Sequence, residues 1–169
     1  NKILIIGGGA IGLLLALVLQ AKDTQDLTII DKNAKRLDVC KTASNCNIAH
    51  PDDSNILNNN YDIVFDAVGF ATTRQKSIQT VKQGGVIVHI GLSQAAGEFD
   101  FRKTTLQEVT LIGTYCYTNE DFKLSLDMLI QKKLGDLSWL DYRSLKDGAN
   151  AFREIHDGIT SSPKIILLP

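Results

Sequence analysis

Short apolar runs alternate along the chain with longer segments in which apolar residues recur at helical spacing. The first run is Ile3–Ile6, and the apolar segment Leu13–Leu19 follows it closely. A short continuous apolar run is typical of a strand that is buried on both faces of a parallel sheet. A longer segment that begins after a glycine-rich turn is typical of a helix. The beginning of the chain therefore predicts a strand, a tight turn and a helix.

The same alternation continues to about residue 113. Five further strands are predicted at Leu27–Ile30, Asn47–Ala49, 62–69 (including its turn), Val86–Ile90 and Val109–Ile112. Helical segments are predicted between them, at Asn33–Thr42, Thr72–Lys82 and Thr104–Gln107, the second ending at Gly84–Gly85. The run Asn58–Asn60 predicts a loop. Strands that alternate with helices predict an α/β fold, a doubly wound parallel sheet of six strands in the order 3-2-1-4-5-6.

The pattern changes after residue 119. An amphipathic helix is predicted from there to about Lys133, then an extended run at Leu137–Tyr142, a helix at Asp147–His156 and a last strand at Lys164–Leu168. A six-stranded nucleotide-binding sheet has no position for the elements beyond the first of these helices. The sequence therefore predicts a sheet domain over residues 1–135 and a separate C-terminal tail over residues 136–169.

Composition excludes several classes of protein. The 169 residues are 44% hydrophobic and 22% charged, as in ordinary globular domains. A net charge of −1 gives no reason to expect nucleic acid or an anionic membrane as a partner. No apolar run reaches the roughly 20 residues of a membrane-spanning helix. Because the chain begins almost inside a strand, we expect it to be part of a longer protein, in which case a targeting signal would not be visible.

The number and spacing of the cysteines indicate the cellular compartment of the protein. Cys40, Cys46 and Cys116 are an odd number without CxxC spacing, which favours reduced thiols in a cytoplasmic protein. The alternative is a zinc site that combines these thiols with a histidine, although the spacing does not support it. The histidines available for such a site are His50, His89 and His156.

The turn after the first strand carries the motif Gly7-x-Gly9-x-x-Gly12. In this setting the first glycine makes the tight turn, the second lets a pyrophosphate approach the backbone, and the third lets the helix pack against the strand. The phosphates would bind at the N-terminus of the new helix. Asp31 ends the second strand 19 residues after Gly12, where an acidic side chain accepts hydrogen bonds from an adenosine ribose. The combination predicts a Rossmann dinucleotide site, with a glycine turn that binds no ligand as the alternative.

Three further motifs extend the pattern: Asp66–Gly69, the segment from Gly84 to Gly91, and Leu111–Tyr115. With them the chain resembles the cofactor-binding half of the medium-chain, zinc-type alcohol dehydrogenases, the group that includes polyol and threonine dehydrogenases. The resemblance runs from Lys2 to Leu168. It also explains the tail, because in that family the corresponding segment crosses back to a catalytic domain.

The resemblance implies an NAD site built from the turns that follow the strands. In the family, the glycine turn and the backbone after it hold the pyrophosphate, and the acid at position 31 holds the adenosine ribose. Arg36 corresponds to a basic position beside the adenine or ribose, with a solvated helix charge as the alternative. The remaining positions line the passage to the nicotinamide or hold its ribose and carboxamide through the backbone. The implied residues are Gly7, Gly9, Ala10, Ile11, Gly12, Asp31, Arg36, Val68, Gly69, Ile90, Gly91, Leu92, Thr114, Tyr115 and Cys116.

Other implications of the resemblance concern the rest of the protein. The family transfers a hydride between an alcohol or polyol and NAD, and its zinc ligands belong to an N-terminal domain whose cysteine and histidine patterns do not occur here. We therefore expect this chain alone to bind NAD, to lack zinc and to be inactive. Lys164 falls near a basic residue that reaches the pyrophosphate. His89 and Cys116 invite a catalytic interpretation, but a histidine that is part of the sheet and a backbone contact, respectively, are favoured.

Two alternatives are kept. A zinc-free, quinone-reductase-like enzyme would share the tail, but it usually binds NADPH through small or basic residues where this chain has Asp31. A non-catalytic nucleotide-sensing domain would share the first 90 residues and would not be expected to carry the tail.

Two apolar surfaces predict contacts with other chains or domains. Phe99 and Phe101 would share one face of an edge strand at Glu98–Phe101, which predicts a symmetric homodimer through that edge. Trp139, Leu140, Tyr142, Phe152 and the last strand form an apolar set that either folds back on the sheet domain or awaits the missing domain. The resemblance favours the second arrangement.

Overall fold

A computed structural model describes residues 1–56 and 60–169 of the chain. Positions 58 and 59 of the predicted asparagine loop lie outside the described residues. Within the described ranges, every helix is too short or too polar to cross a membrane.

Six parallel strands form the main sheet, and their order is β3-β2-β1-β4-β5-β6. This confirms the predicted fold class and strand order. The strands are β1 (Lys2–Ile6), β2 (Asp26–Ile30), β3 (Asn47–Ala49), β4 (Tyr61–Asp66), β5 (Val81–His89) and β6 (Thr110–Gly113). The pairing aligns their carboxyl ends, because Ile30, Ile6, Asp66, His89 and Gly113 are register partners across neighbouring strands.

The described residues form six helices, of which the first two cover one face of this sheet and the third covers the other. They are α1 (Ala10–Gln20), α2 (Ala34–Ala43), α3 (Ala71–Thr80), α4 (Phe101–Leu106), α5 (Asn119–Ile130) and α6 (Gly148–His156), with short 3₁₀ turns at Ser54–Ile56 and Leu145–Asp147. Side chains cap α2, α4 and α5. Asn33 accepts from the first amides of α2, and Thr118 forms a capping box with Asp121 at α5.

The core is divided by the sheet into two clusters. Ile3 and Ile5 of β1 pack with α1 and α2, while Leu4 and Ile6 belong to the cluster on the α3 side. Successive side chains of a strand point to opposite faces, so a strand covered on both faces must be apolar at every position. This is why the sequence shows continuous apolar runs instead of alternation.

The predicted end of the third helix is wrong by two residues. Helix α3 ends at Thr80, and Val81 is extended and pairs with Tyr61 of β4. The side chain of Val81 is fully buried, so its burial against the sheet outweighs two more residues of helix. Gly84 does not end the helix. It lies within β5 at a φ of +69°, where its N–H donates to the Gln107 carbonyl at 2.8 Å.

The predicted strand at Glu98–Phe101 is also wrong. Asp100 caps α4 by accepting from the Lys103 N–H at 2.7 Å, so Phe101 begins a helix. Phe99 packs against the core. Its ring lies edge-on to the ring of Phe101, with 5.1 Å between the ring centroids. An N-cap aspartate between two aromatic residues reproduces the apolar–polar alternation of a strand. The edge of the sheet is therefore β6.

The tail forms a second, small sheet. Strands β7 (Leu140–Ser144) and β8 (Lys164–Leu168) pair in parallel, and α6 lies between them in the chain. Trp139 is 9% exposed and joins the core of β1, α1 and α2, whereas Tyr142 and Phe152 remain exposed. Buried contacts thus cross the predicted boundary at 135/136, which itself stays a prediction.

Candidate functional site

The carboxyl ends of the strands meet at one edge of the sheet. The chain proceeds from β1 to β2 and β3 on one side and returns to β4 on the other, so the strand order reverses between β1 and β4. In open α/β sheets, ligands bind in the crevice at such a reversal. The turns that follow these strands contain nearly all of the predicted site residues.

The turn after β1 requires two of its glycines for steric reasons. Gly7 has a φ of +106°, and its N–H donates to the Ile30 carbonyl at 2.8 Å. A Cβ on Gly12 would overlap the Gly7 carbonyl oxygen. The start of α1 thus lies against the end of β1, and any side chain on Gly12 would push them apart.

Gly9 differs from its two neighbours in the motif. A Cβ built on this residue would meet no atom within 4 Å, so the backbone here faces open space. Gly9 is also the N-cap of α1, without a side-chain cap, and the first bond of the helix runs from Leu13 N–H to the Gly9 carbonyl at 2.9 Å. The amides ahead of Leu13, which include those of Ala10 and Ile11, have no acceptor within the helix. Such an open helix N-terminus fits a phosphate group.

Asp31 connects this turn to the end of β2. One carboxylate oxygen accepts from Gly8 N–H and the other from Asn33 N–H, both at 2.7 Å. Each oxygen of a carboxylate has a further lone pair, so the half-buried side chain still has acceptors for two ribose hydroxyls. Arg36 lies in the first turn of α2, and its Nε has no hydrogen-bond partner within the described residues.

Cys40 supports the same turn, a role that the sequence did not predict. Its buried thiol donates to the Gly8 carbonyl at 3.5 Å. Burial, and then the proximity of Cys46 and Asp31, raise the pKa of Cys40 to about 12. The thiol therefore stays protonated at neutral pH and acts as a small packing residue with a weak donor.

The turns after β4 and β5 touch each other. Gly69 has a φ of +82°, and a Cβ on it would overlap the Gly91 carbonyl, while a Cβ on Gly91 would overlap the Val68 backbone. The Ser93 N–H donates to the Val68 carbonyl at 3.3 Å. Val68, Gly69, Ile90 and Gly91 are thus brought together by the fold, and Leu92 follows them as an exposed side chain.

The turn after β6 is the last of the turns at this edge of the sheet. The Thr114 N–H donates to the His89 carbonyl at 3.0 Å, Tyr115 is exposed, and Cys116 is exposed with a φ of +56°. Lys164 begins β8 and pairs with Leu140 in the small sheet, so its proposed contact with a pyrophosphate stays a prediction.

A pair formed by the buried Asp66 and the half-buried His89 lies beneath these turns and was not among the predicted site residues. His89 Nδ1 is 3.2 Å from Asp66 Oδ2, and both side chains line a cavity of about 410 Å³ together with Arg74 and Phe99. The signals in the sequence were an acidic residue at the end of one apolar strand and a histidine at the end of the next.

A zinc site does not fit the described residues. In the ranges 1–56 and 60–169, no group of three or more histidine, cysteine or acidic side chains is arranged to hold a metal ion. All three cysteines are free thiols, two of them buried. The alternative of a zinc site made from these cysteines and a histidine thus gains no support from the described residues.

Known proteins resemble the chain in sequence. A sequence model of the zinc-binding dehydrogenase family matches residues 10–131. The D-xylulose reductase of Saccharomyces cerevisiae is 25% identical over 166 residues, which cover 90% of this chain and 47% of the yeast protein. The chain thus spans about half the length of the curated relatives it matches.

Solved structures agree on the fold. The L-idonate 5-dehydrogenase from Escherichia coli matches with a TM-score of 0.87 at 20% identity, over 100% of this chain and 50% of that one. An acetophenone reductase from Geotrichum candidum in complex with NAD matches with a TM-score of 0.86 at 20% identity, over 96% and 47% of the two chains. At such identities the likeness concerns the fold alone. The sequence model is the more specific match and covers most of the chain, so this chain belongs to the zinc-binding dehydrogenase family.

Proposed function

We propose that the chain is the NAD(H)-binding part of a zinc-type alcohol or polyol dehydrogenase. The observation that carries the proposal is the uncapped start of α1, where Gly9 faces open space and the preceding Gly8 N–H donates to the carboxylate of Asp31. This arrangement offers amides to a pyrophosphate and acceptors to a ribose within one turn. Family membership and relatives such as the yeast D-xylulose reductase support the same conclusion.

Different residues would bind different parts of the cofactor. The amides at the start of α1 would bind the pyrophosphate, Asp31 would accept from the adenosine ribose, and Arg36 would lie beside the adenine. The turns at Val68–Gly69, Ile90–Leu92 and Thr114–Cys116 would orient the nicotinamide half. Bound NAD supplies the hydride acceptor, and the part of this chain is to bind and orient it.

Substrate and zinc would belong to the remaining half of the protein. Since the described residues include no metal site, we expect the 169-residue chain to bind NADH with a measurable heat, to contain no stoichiometric zinc and to reduce no NAD with alcohols or polyols. Calorimetry, metal analysis and an activity panel check these three expectations. Turnover with bound zinc would contradict the proposed division, and absence of NADH binding would contradict the proposed function.

Cofactor choice gives a second prediction. Asp31 would face the 2′-phosphate of NADP with a like charge in a half-buried position, and like charges in close contact are strongly disfavoured. We expect NADH to bind at least about tenfold more tightly than NADPH, which corresponds to about 1.4 kcal/mol. Calorimetric titration with each nucleotide measures the ratio.

The matched variants are Asp31→Ser and Asp38→Asn. The first removes the charge that faces the ribose and leaves Lys32 and Arg36 nearby, so the preference for NADH should shrink or reverse. The second removes an exposed charge on α2 and should leave the preference unchanged. Equal affinities of the unmodified chain for both nucleotides would contradict the assignment of Asp31 and favour the quinone-reductase-like alternative.

A homodimer is also proposed, but through another edge than the sequence predicted. Strand β6 is the last strand of the described sheet, and its Leu111 and Ile112 are both more than 40% exposed. Unpaired strand edges with apolar side chains favour pairing with another chain. We expect light scattering to give a dimer, and Ile112→Lys to shift it to a monomer. Leu124→Lys, on the exposed side of α5, should not, and a monomeric unmodified chain would contradict the proposal.

A cytoplasmic location stays a prediction from the cysteine pattern. No observation on the chain favours the nucleotide-sensing alternative, and membership of a dehydrogenase family speaks for the enzymatic one.

A further inference from the structure

One buried carboxylate lies where β4 and β5 end. Asp66 is the last residue of β4 and is 0% exposed. Its register partners are Ile6 in β1 and His89 in β5. A carboxylate that is removed from water needs hydrogen-bond donors on both oxygens. The donors therefore show which parts of the chain this side chain holds in place.

The first oxygen closes the turn after β4. Oδ1 of Asp66 accepts from the N–H groups of Val68 at 3.0 Å and of Gly69 at 2.9 Å. These short-range bonds form an Asx-type turn, in which a side chain replaces the backbone acceptor. The orientation of the peptide groups of Val68 and Gly69 thus depends directly on the side chain of Asp66.

The second oxygen connects the turn to two other elements. Oδ2 lies 3.1 Å from the hydroxyl of Thr73, which shares its one proton between this oxygen and the Phe70 carbonyl at 3.0 Å, and 3.2 Å from Nδ1 of His89. Thr73 belongs to the first turn of α3, and His89 ends β5. An imidazole nitrogen that faces a carboxylate acts as a donor. Groups from α3 and β5 therefore fix the rotation of the carboxylate and, through it, the turn after β4.

The main chain of the same residue holds the second turn. The Asp66 carbonyl accepts from the N–H groups of Ile90 at 2.9 Å and of Gly91 at 3.0 Å. Because these bonds use the backbone, they persist whatever side chain stands at position 66. A substitution should therefore loosen the turn at Val68–Gly69 and leave Ile90–Gly91 in place.

We propose that Asp66 is a positioning residue for the nicotinamide half of the site, acting through Val68 and Gly69 without touching the cofactor. The inference rests on the proposed function. Asp66 lies two strands away from the end of β2, a spacing of about 10 Å, so its effect should not reach Asp31. The two halves of a dinucleotide then become separable by mutation.

The test compares two nucleotides on the same 169-residue chain. AMP carries only the adenosine and one phosphate, whereas NADH also extends to the turn at Val68–Gly69. Removing the shared acceptor leaves two N–H groups without their partner, so Asp66→Ala should weaken NADH binding by about tenfold or more. It should change AMP binding by less than about twofold, since distant sites act independently. Calorimetry measures both affinities.

A conservative variant separates positioning from general damage. The amide oxygen of Asp66→Asn can still accept from Val68 and Gly69. Its NH₂ group can donate to the oxygen of Thr73 and to Nδ1 of His89 once that imidazole carries its proton on Nε2, so NADH affinity should return to within about threefold of the original. Proportional losses for both nucleotides, or no loss for either, would overturn the inference.

A second pair of variants covers a failure of Asp66→Ala to fold. Thr73→Val removes the hydroxyl donor to Oδ2 and the acceptor of the Phe70 N–H, and Thr73→Ser keeps both. The valine variant should weaken NADH and leave AMP unchanged, and the serine variant should change neither. Equal behaviour of the two variants would overturn the inference. An unmodified chain that binds neither nucleotide overturns the proposed function itself, and this inference with it.

Discussion

Gly12→Ala should lower both the stability of the chain and its affinity for NADH. In most helices this exchange stabilises by about 1 kcal/mol through helix propensity. Here the new methyl group would overlap the carbonyl oxygen of Gly7, which belongs to the backbone and cannot rotate away. Overpacking of this kind costs about 1–3 kcal/mol, so the clash outweighs the gain. Because α1 must move away from β1, its amides move too, and NADH binding should fall by at least about tenfold.

Gly9→Ala is the matched control for this variant. Its Cβ meets no atom within 4 Å, and Gly9 has an ordinary φ of −76°, so the free energy of unfolding should fall by no more than about 1 kcal/mol, the cost of alanine at an N-cap. The methyl group would occupy the space that a pyrophosphate needs, so NADH affinity should still fall. Chemical denaturation and calorimetry on the two variants separate folding from binding. A Gly9→Ala chain that binds NADH normally would contradict the position proposed for the phosphates.

Gly69→Ala should give the largest loss of stability among the glycine variants. The φ of +82° costs a non-glycine residue about 1–2 kcal/mol, and the Cβ would overlap the Gly91 carbonyl, which adds about 1–3 kcal/mol. Together the loss should be roughly 2–5 kcal/mol, because neither turn can yield without breaking bonds to Asp66. The midpoint of urea denaturation measures it.

Gly84→Ala measures the cost of a positive φ alone, without a steric clash. Gly84 has a similar φ of +69°, but a Cβ on it meets no atom within 4 Å. Its loss should therefore be about 1–2 kcal/mol, the cost of the left-handed conformation without the clash. Equal losses for Gly69→Ala and Gly84→Ala would show that the contact between the two turns is not tight.

The sheet was predictable because its signals are local. Each buried strand is a short apolar run, and the glycine turn and Asp31 identify β1, α1 and β2 by spacing alone. Strand order followed from the alternation of elements and from the handedness of the connections. The positions of the turns at the carboxyl ends then follow from the parallel arrangement.

The errors have specific physical causes. Val81 is not part of helix α3 because its side chain is buried against β4. This is a tertiary effect that helix propensity cannot reveal. The segment at Phe99–Phe101 was mistaken for a strand because an N-cap aspartate between two aromatic residues reproduces strand alternation.

The buried network around Asp66 could not be predicted, since its partners Thr73 and His89 are brought to it by two different elements. A sequence shows that an acid follows an apolar strand. It does not show which donors surround that acid, and the donors decide whether the acid binds a ligand or holds a turn.

The position of Trp139 makes its fluorescence a useful measurement on this molecule. It is the only tryptophan of the chain, it is buried in the core beside α1, and it lines a cavity with Val39 of α2, the helix that follows Asp31. Indole emission overlaps the absorption band of a reduced nicotinamide ring, so energy transfer from this single donor would report the arrival of NADH without a label. The same indole would shift its emission to longer wavelength when the core opens to water. The fluorescence of this one side chain would therefore measure both the proposed binding of NADH and the unfolding of the chain.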